Sequence, residues 1–164
     1  MALTLSQLQV LKADILADPV LAAQPNNSDG AFAIAAAYNL AASPVFIIWR
    51  TQVPTKDAKK ATVWTEFISR SAGERDAWQF MLSNGIIDAS DPNIRQGIAD
   101  IFSGVQGAAT RTALLQVSKV AATRAQKLFA TGTGSDAVPA TPAANFNEFG
   151  QLSYQDVLSA RSLT

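Results

Sequence analysis

Signals that begin α-helices recur along this chain of 164 residues. Thr4 and Gln7, and later Ser71 and Glu74, have the spacing of a capping box, in which each side chain bonds to the other residue's backbone. Asp91 precedes a proline, a residue favoured at the first position of a helix. Helices with apolar stripes bury them most readily against other helices. The sequence therefore predicts an all-α fold, a compact helical bundle.

Two apolar segments add detail to this prediction. The segment between Pro44 and Pro54 is rich in β-branched and aromatic residues and predicts one short extended stretch. We expect it to lie across helices, because no second segment pairs with it convincingly and an isolated pair of strands is only marginally stable. Residues 108–130 carry apolar side chains at helical spacing and predict one long helix. Trp64 and Trp78 fall on apolar stripes and are expected in the core.

The composition changes after residue 131. Residues 131–150 are polar and rich in Pro, Gly, Ala and Thr, with too little large apolar surface to offset the ~1–2 kcal/mol per residue that ordering a backbone costs. Ser153 and Asp156 then have the spacing that begins a short helix. The sequence thus predicts a helical body, residues 1–131, and a C-terminal extended arm, residues 132–164, that ends in a short helix. A neighbouring protein is expected to order this arm.

Charge and composition exclude several classes of chemistry. Thirteen basic and thirteen acidic side chains balance, so no overall field attracts the chain to nucleic acid or to an anionic membrane. The chain has no cysteine and no histidine, which excludes zinc–thiolate sites, thiol nucleophiles and histidine-based acid–base catalysis. No cofactor and no metal are expected. No apolar run approaches the ~20 residues of a membrane helix, and the start lacks the features of a signal peptide, so we expect a cytosolic product.

Two carboxylates are the candidates for catalysis. Glu66 and Glu74 could form the pair of acids that glycoside cleavage needs, about 5–10 Å apart. The capping box explains Glu74 and a solvated helical position explains Glu66, so the chain is not predicted to be an enzyme. Lys56, Lys59 and Lys60 could contact a nucleic-acid backbone, although such a cluster is more typical of a solvated surface.

Eight side chains are candidates for contact with a partner protein. Trp and Arg are enriched where interfaces carry binding energy, and one such pair lies on the predicted irregular stretch. The others are the large or charged side chains of the predicted arm. The eight residues are Trp49, Arg50, Phe146, Phe149, Tyr154, Val157, Leu158 and Arg161.

Six short segments, distributed over nearly the whole chain, carry a resemblance to known proteins. They are residues 11–19 (LKADILADP), 26–30 (NNSDG), 49–51 (WRT), 73–78 (GERDAW), 93–97 (NIRQG) and 127–134 (KLFATGTG). Together they resemble a family of small virion proteins of tailed bacteriophages, placed near the capsid and the portal. The predicted helical body with a C-terminal arm is similar to a head-to-tail adaptor, also called a connector.

The resemblance implies a function and a set of partners. An adaptor forms a ring, commonly of twelve copies, beneath the portal, and it continues the DNA channel. The implied partners are further copies of the chain, the portal protein, which the arm grips, and the next tail component, in the neck of the virion. Packaged DNA only passes through the channel. The family motifs carry no catalytic residues to transfer.

Three other functions stay open at this point. The nearest is that of a stopper or tail-completion protein in the same neck. From a different class, the chain could be a cell-wall hydrolase carried in the virion, although the missing histidine and cysteine weigh against it. A DNA-binding regulator is the third.

Overall fold

The computed structural model describes residues 3–164, which form two compact units. Unit 1 combines residues 3–47 with residues 121–164, and unit 2 consists of the intervening Ile48–Val120. Each unit has its own hydrophobic core. This division differs from the predicted body, residues 1–131, and arm, residues 132–164.

Short helices make up most of the described chain. In order, the elements up to the middle of unit 2 are α1 (Leu5–Ala17), α2 (Pro19–Ala22), α3 (Ser28–Tyr38), β1 (Ile47–Trp49), β2 (Val53–Pro54), α4 (Thr55–Ala61), α5 (Trp64–Ile68) and α6 (Ala72–Leu82). They are followed by β3 (Ile86–Ile87), α7 (Pro92–Ile101), a 3-10 helix (Val105–Gly107), α8 (Ala108–Val117), β4 (Lys119–Ala121), α9 (Arg124–Phe129) and α10 (Tyr154–Ser162). In residues 3–164 no helix has the length and apolar character needed to cross a membrane.

The helix starts predicted from sequence are confirmed. Thr4, Ser71 and Ser153 each form a complete capping box at the start of α1, α6 and α10. The Asp91 side chain accepts a hydrogen bond from the Asn93 N–H, at 2.8 Å, at the start of α7. These bonds satisfy N–H groups that have no partner inside a helix.

The C-terminal segment completes the core of unit 1. Helix α10 packs against α1 and α3. Phe146, Leu152, Val157 and Ala160 are all buried in one cluster with apolar side chains of α1 and α3. The predicted extended arm is therefore wrong: these four apolar residues are few in number, but they fill space that α1 and α3 leave open.

Unit 2 has a core centred on an aromatic pair. The rings of Trp78, on α6, and Phe102, at the end of α7, meet edge to face with centroids 5.3 Å apart, and both are buried. Leu114 of α8 and Val53 of β2 are buried in the same cluster. Trp78 is thus confirmed as a core residue, whereas Trp64 is 55% exposed and its predicted burial is wrong.

Two small sheets correct the predicted fold class. Strand β1 pairs with β4, and β2 pairs antiparallel with β3, with Val53 opposite Ile87. The chain is mostly helical but mixed α/β, so the all-α prediction is wrong. The apolar stretch after Pro44 does have a partner, which lies about seventy residues further along the sequence.

The partner strand lies where one long helix was predicted. Helix α8 ends at Val117, because the backbone after it pairs with β1: the Arg50 N–H donates to the Ser118 carbonyl (2.9 Å) and the Ala122 N–H to the Phe46 carbonyl (2.8 Å). A further capping box, Thr123 with Gln126, then begins α9. The single helix over residues 108–130 is therefore wrong.

A matched pair of phenylalanines tests whether the C-terminal segment belongs to the core. Phe146 is 1% exposed and Phe149 is 61% exposed. We expect Phe146→Ala to lower the free energy of unfolding of unit 1 by about 3–5 kcal/mol, because it leaves a cavity in the core. Phe149→Ala is expected to change it by less than about 0.5 kcal/mol. Urea unfolding followed by circular dichroism measures both, and equal stabilities of the two variants would contradict the packing.

Candidate functional site

A cleft of unit 1 has a volume of about 740 Å³. Asp14 and Asp18 line it from the side of α1, and Arg124 and Lys127 line it from α9. The remaining wall comes from Ala37, Leu128 and the chain from Leu40 to Ser43. Because charged side chains line it, this cleft is the candidate active site of unit 1.

A closed network of polar groups occupies one side of the cleft. Arg124 donates from Nη1 to Asp18 Oδ2 (2.8 Å) and from Nη2 to Asp14 Oδ2 (2.9 Å). The hydroxyl of buried Tyr38 donates to the same oxygen of Asp14, and the Arg124 guanidinium lies 4.6 Å from the centroid of the Tyr38 ring. Asp18 Oδ1 in turn accepts the Val20 and Leu21 N–H groups at the start of α2. The network thus ties α1, α2, α3 and α9 together.

These contacts set the ionisation states of Tyr38 and Asp18. Burial, reinforced by the hydrogen bond to Asp14, raises the pKa of Tyr38. The hydrogen bond from Arg124 lowers the pKa of Asp18. The phenol is therefore kept neutral and the carboxylate is kept charged, which are the states that the network needs.

The cleft does not offer an activated catalytic group. Arg124 and the two aspartates bind one another and the Tyr38 hydroxyl, and the Lys127 ammonium lies 5.7 Å from the centroid of the Phe46 ring. Within residues 3–164, no three Asp or Glu side chains come together in a way that could hold a metal ion. The arrangement is that of a structural network.

Arginine has the same structural use elsewhere in the chain. Arg124 binds carboxylates, and the other six arginines donate to backbone carbonyl oxygens. Arg161 is an example: it donates to the carbonyls of Pro25 (2.9 Å) and Gln24 (3.0 Å), far away in sequence. The six residues are Arg50, Arg70, Arg75, Arg95, Arg111 and Arg161.

The two glutamates considered for catalysis also bind backbone. Glu66 accepts hydrogen bonds from the N–H groups of Ala109 (3.3 Å) and Thr110 (2.8 Å), and so caps α8 from a distance. Hydrogen bonds from the side chain and backbone of Thr110 lower the pKa of Glu66. Glu74 accepts from the Ser71 hydroxyl and N–H, and these bonds lower its pKa. Glu66 was therefore wrongly interpreted as merely solvated, and neither carboxylate is prepared to act as an acid.

The first two partner candidates are held by their own unit. Trp49 is half-buried, with the Arg95 guanidinium 4.6 Å from the centroid of its ring. Arg50 donates from Nη1 to the Val117 carbonyl at 3.3 Å. Both side chains stabilise unit 2, and their edges remain partly accessible.

The C-terminal candidates divide into buried and accessible residues. Phe146 and Val157 are buried in unit 1, which makes them unavailable to a partner, and Arg161 is engaged with carbonyls. Phe149 is exposed, and Leu158 is half-buried.

Tyr154 forms an aromatic pair that the sequence analysis missed. Its ring stacks on Phe32 of α3, with centroids 4.1 Å apart, and Phe32 is 55% exposed. A signal for Phe32 was present, because it falls off the buried stripe of α3, which includes Ile34 and Tyr38. A large aromatic residue on the exposed side of an alanine-rich helix is typical of a contact surface. We call these two stacked rings the Phe32–Tyr154 pair.

Unit 2 presents a second apolar surface. Trp64 and Ile68 lie one turn apart on α5 and are 55% and 66% exposed. Val105, 91% exposed, belongs to the 3-10 helix that packs against α5. These three residues are called the Trp64 patch.

Comparison with protein-family models, curated proteins and solved structures found no significant match.

The buried phenol of Tyr38 gives a test of the network in unit 1. In a Tyr154→Phe variant, Tyr38 is the only tyrosine of the chain. Because its folded pKa is raised above the ordinary value of about 10, its contribution to stability is present below pH ~10 and is lost as the pH rises. We expect the phenolate absorbance to appear only together with loss of helical circular dichroism. A phenolate signal with an ordinary midpoint in a protein that is still folded would contradict the network.

Proposed function

We propose that this chain is a non-catalytic structural protein of a tailed-phage virion, a head-to-tail adaptor. In this role it forms a ring beneath the portal, continues the DNA channel, and binds the portal protein and the next tail component. Exposed apolar surface is the observation that carries the proposal. Fifteen large apolar side chains of residues 3–164 are exposed.

Two surfaces that include four of these side chains have the composition of binding surfaces. The Phe32–Tyr154 pair lies on unit 1 and the Trp64 patch lies on unit 2. Aromatic side chains dominate the binding energy of many protein interfaces, and exposed apolar clusters mark such interfaces. A ring subunit needs at least two distinct surfaces, one for each neighbour, and a protein between portal and tail needs more.

The use of the polar side chains supports a structural role. The carboxylates considered for hydrolysis cap helices, and all seven arginines bind backbone carbonyls or carboxylates within their unit. These hydrogen bonds stabilise a fold made of short helices. The carboxylates and guanidinium groups that make them already have partners within the chain. No pair of acids therefore supports the alternative function of a virion-associated cell-wall hydrolase.

The specific place in the virion comes from the resemblance of the six segments to small phage virion proteins. A stopper or tail-completion protein would use the same kind of surfaces. The two roles differ in position, since an adaptor contacts the portal directly.

Cryo-electron microscopy of particles of the phage whose genome encodes this chain tests the location. We expect a closed ring of identical copies in the neck, in direct contact with the portal. A ring separated from the portal by another protein would assign the stopper or completion role instead. A single copy, a position on the outer capsid, or absence from the particle would contradict the proposal.

The Trp64 patch can be tested separately by binding to purified portal protein or to further copies of the chain. We expect Trp64→Glu to weaken at least one of these associations about 30-fold, the effect of losing a side chain worth ~2 kcal/mol at an interface. Gln79→Glu is the matched control, because it adds the same charge at an exposed polar position of unit 2. Equal binding by both variants would remove the patch from the proposal.

A further inference from the structure

Three positive charges that the fold leaves without a partner lie together on helix α4. Lys56, Lys59 and Lys60 are exposed, and no hydrogen bond or ion pair within the described chain holds their ammonium groups. Other basic groups are used differently, since the arginines donate to carbonyls or carboxylates and Lys127 lies over the Phe46 ring. We call the three lysines of α4 the lysine face.

The spacing of these residues places them on one side of the helix. Lys59 and Lys60 follow Lys56 by three and four positions, and residues with this spacing are neighbours on a helix surface, about 5–6 Å apart at Cβ. Ala58 is fully buried in the core of unit 2, and α4 packs against α8. The rest of the unit therefore holds α4 from behind, and the lysine face is directed at the solvent.

Further basic side chains lie beside the lysine face. A groove of about 580 Å³ between α4 and α8 is lined by Lys60 together with Arg50 and Lys119. Asp57, which is half-buried, is the single carboxylate among the described lining residues. Basic residues thus outnumber acidic ones on this side of unit 2, although the chain as a whole has no net charge.

The composition of the lysine face favours a phosphate backbone over a protein partner. Lysine is depleted in the interfaces between proteins, where aromatic residues and arginine are enriched. Lysine and arginine are regular partners of the phosphates of DNA, and such contacts position a protein on a duplex without reading its bases. Three mobile ammonium groups with no aromatic anchor therefore fit phosphates better than they fit another protein.

The same composition favours a duplex over a single strand. Helix α4 has no aromatic residue, and none of the described residues that line the groove beside it is aromatic. Proteins hold single strands by stacking bases on aromatic rings in addition to phosphate contacts. A DNA duplex instead offers a dense row of phosphates, with one negative charge per about 1.7 Å of its axis. All three lysines can meet phosphates of one duplex at the same time.

We infer that the lysine face of α4 binds the phosphate backbone of double-stranded DNA without reading its sequence. The inference rests on the proposed function for the place of this contact, which is the DNA channel of the ring, whereas the binding itself is a property of the free chain. Three phosphate contacts give a weak attachment that salt reverses, and contacts of this kind allow DNA and protein to slide along each other.

Fluorescence anisotropy of a short labelled duplex, at low ionic strength, tests the binding by the full chain. We expect equal affinity for two duplexes of unrelated sequence. Because about three phosphates are neutralised, the logarithm of the binding constant is expected to fall with the logarithm of the salt concentration at a slope of about −2.7. A fourfold rise in salt then weakens binding about 40-fold.

Substitution of the three lysines locates the site. Lys56→Gln, Lys59→Gln and Lys60→Gln together are expected to weaken binding at low salt at least about tenfold and to flatten the salt dependence. Arginine at the same three positions keeps the charge, and we expect it to keep the binding. Lysine, glutamine and arginine have similar helix propensities, so α4 is retained in both variants, which circular dichroism checks.

A control variant separates the lysine face from the net charge of the chain. It has the same net charge as the glutamine variant and an intact lysine face, and we expect it to bind the duplex as the unaltered chain does. Its substitutions, all at exposed positions of unit 1, are Gln9→Glu, Gln151→Glu and Ser159→Glu.

The other outcomes overturn the inference. If the unaltered chain does not bind the duplex at low ionic strength, or if the glutamine variant binds it as tightly, the lysine face is not a DNA contact. Tighter binding of a single strand than of the duplex would indicate a stacking surface elsewhere. Tighter binding of polyglutamate than of the duplex would assign the face to an acidic protein. The neck location, which decides the proposed function, is measured separately in the particle, so the two failures are distinguishable.

Discussion

The ends of short helices impose the constraint on which this structure depends. Every helix leaves about four N–H groups at its start and four carbonyls at its end without partners inside the helix, so a chain made of many short helices has many such groups. Capping boxes at Thr4, Ser71, Thr123 and Ser153 satisfy the N–H groups, and the distant carboxylate of Glu66 does the same for α8.

Arginine side chains provide the corresponding partners for carbonyl groups. The guanidinium group offers five N–H donors in a fixed plane, so one side chain can satisfy two neighbouring carbonyls at once. Arg161 does this for the turn before α3, and Arg111 does it after α7. The arginines, and the two glutamates considered for catalysis, thus hold the backbone in place.

The sequence predicted the local features well and the distant ones poorly. Capping boxes join residues three apart, so Thr4, Ser71 and Ser153 could be recognised from spacing alone. Strand β4 was missed because its partner, β1, lies about seventy residues earlier, and because apolar residues on either side of it continue a helical pattern. Composition also failed for residues 131–164, since an average over a polar segment hides the few apolar side chains, such as Phe146 and Val157, that fill a core. Among the residues of the candidate surfaces, Tyr154 was predicted from sequence as a contact residue. Phe32 and the Trp64 patch were identified only from the structure, because the exposure of a side chain depends on which helix faces pack together.

Amide hydrogen exchange of the free chain, compared with the same chain in the proposed assembly, tests the account most directly. We expect the amides of α10 to be protected in the free chain to the same degree as those of α1, because both helices contribute to one core. We expect α5 and the 3-10 helix after α7 to gain protection on assembly, since they carry the Trp64 patch. Rapid exchange throughout residues 146–162 in the free chain, or assembly without added protection in either unit, would contradict the account.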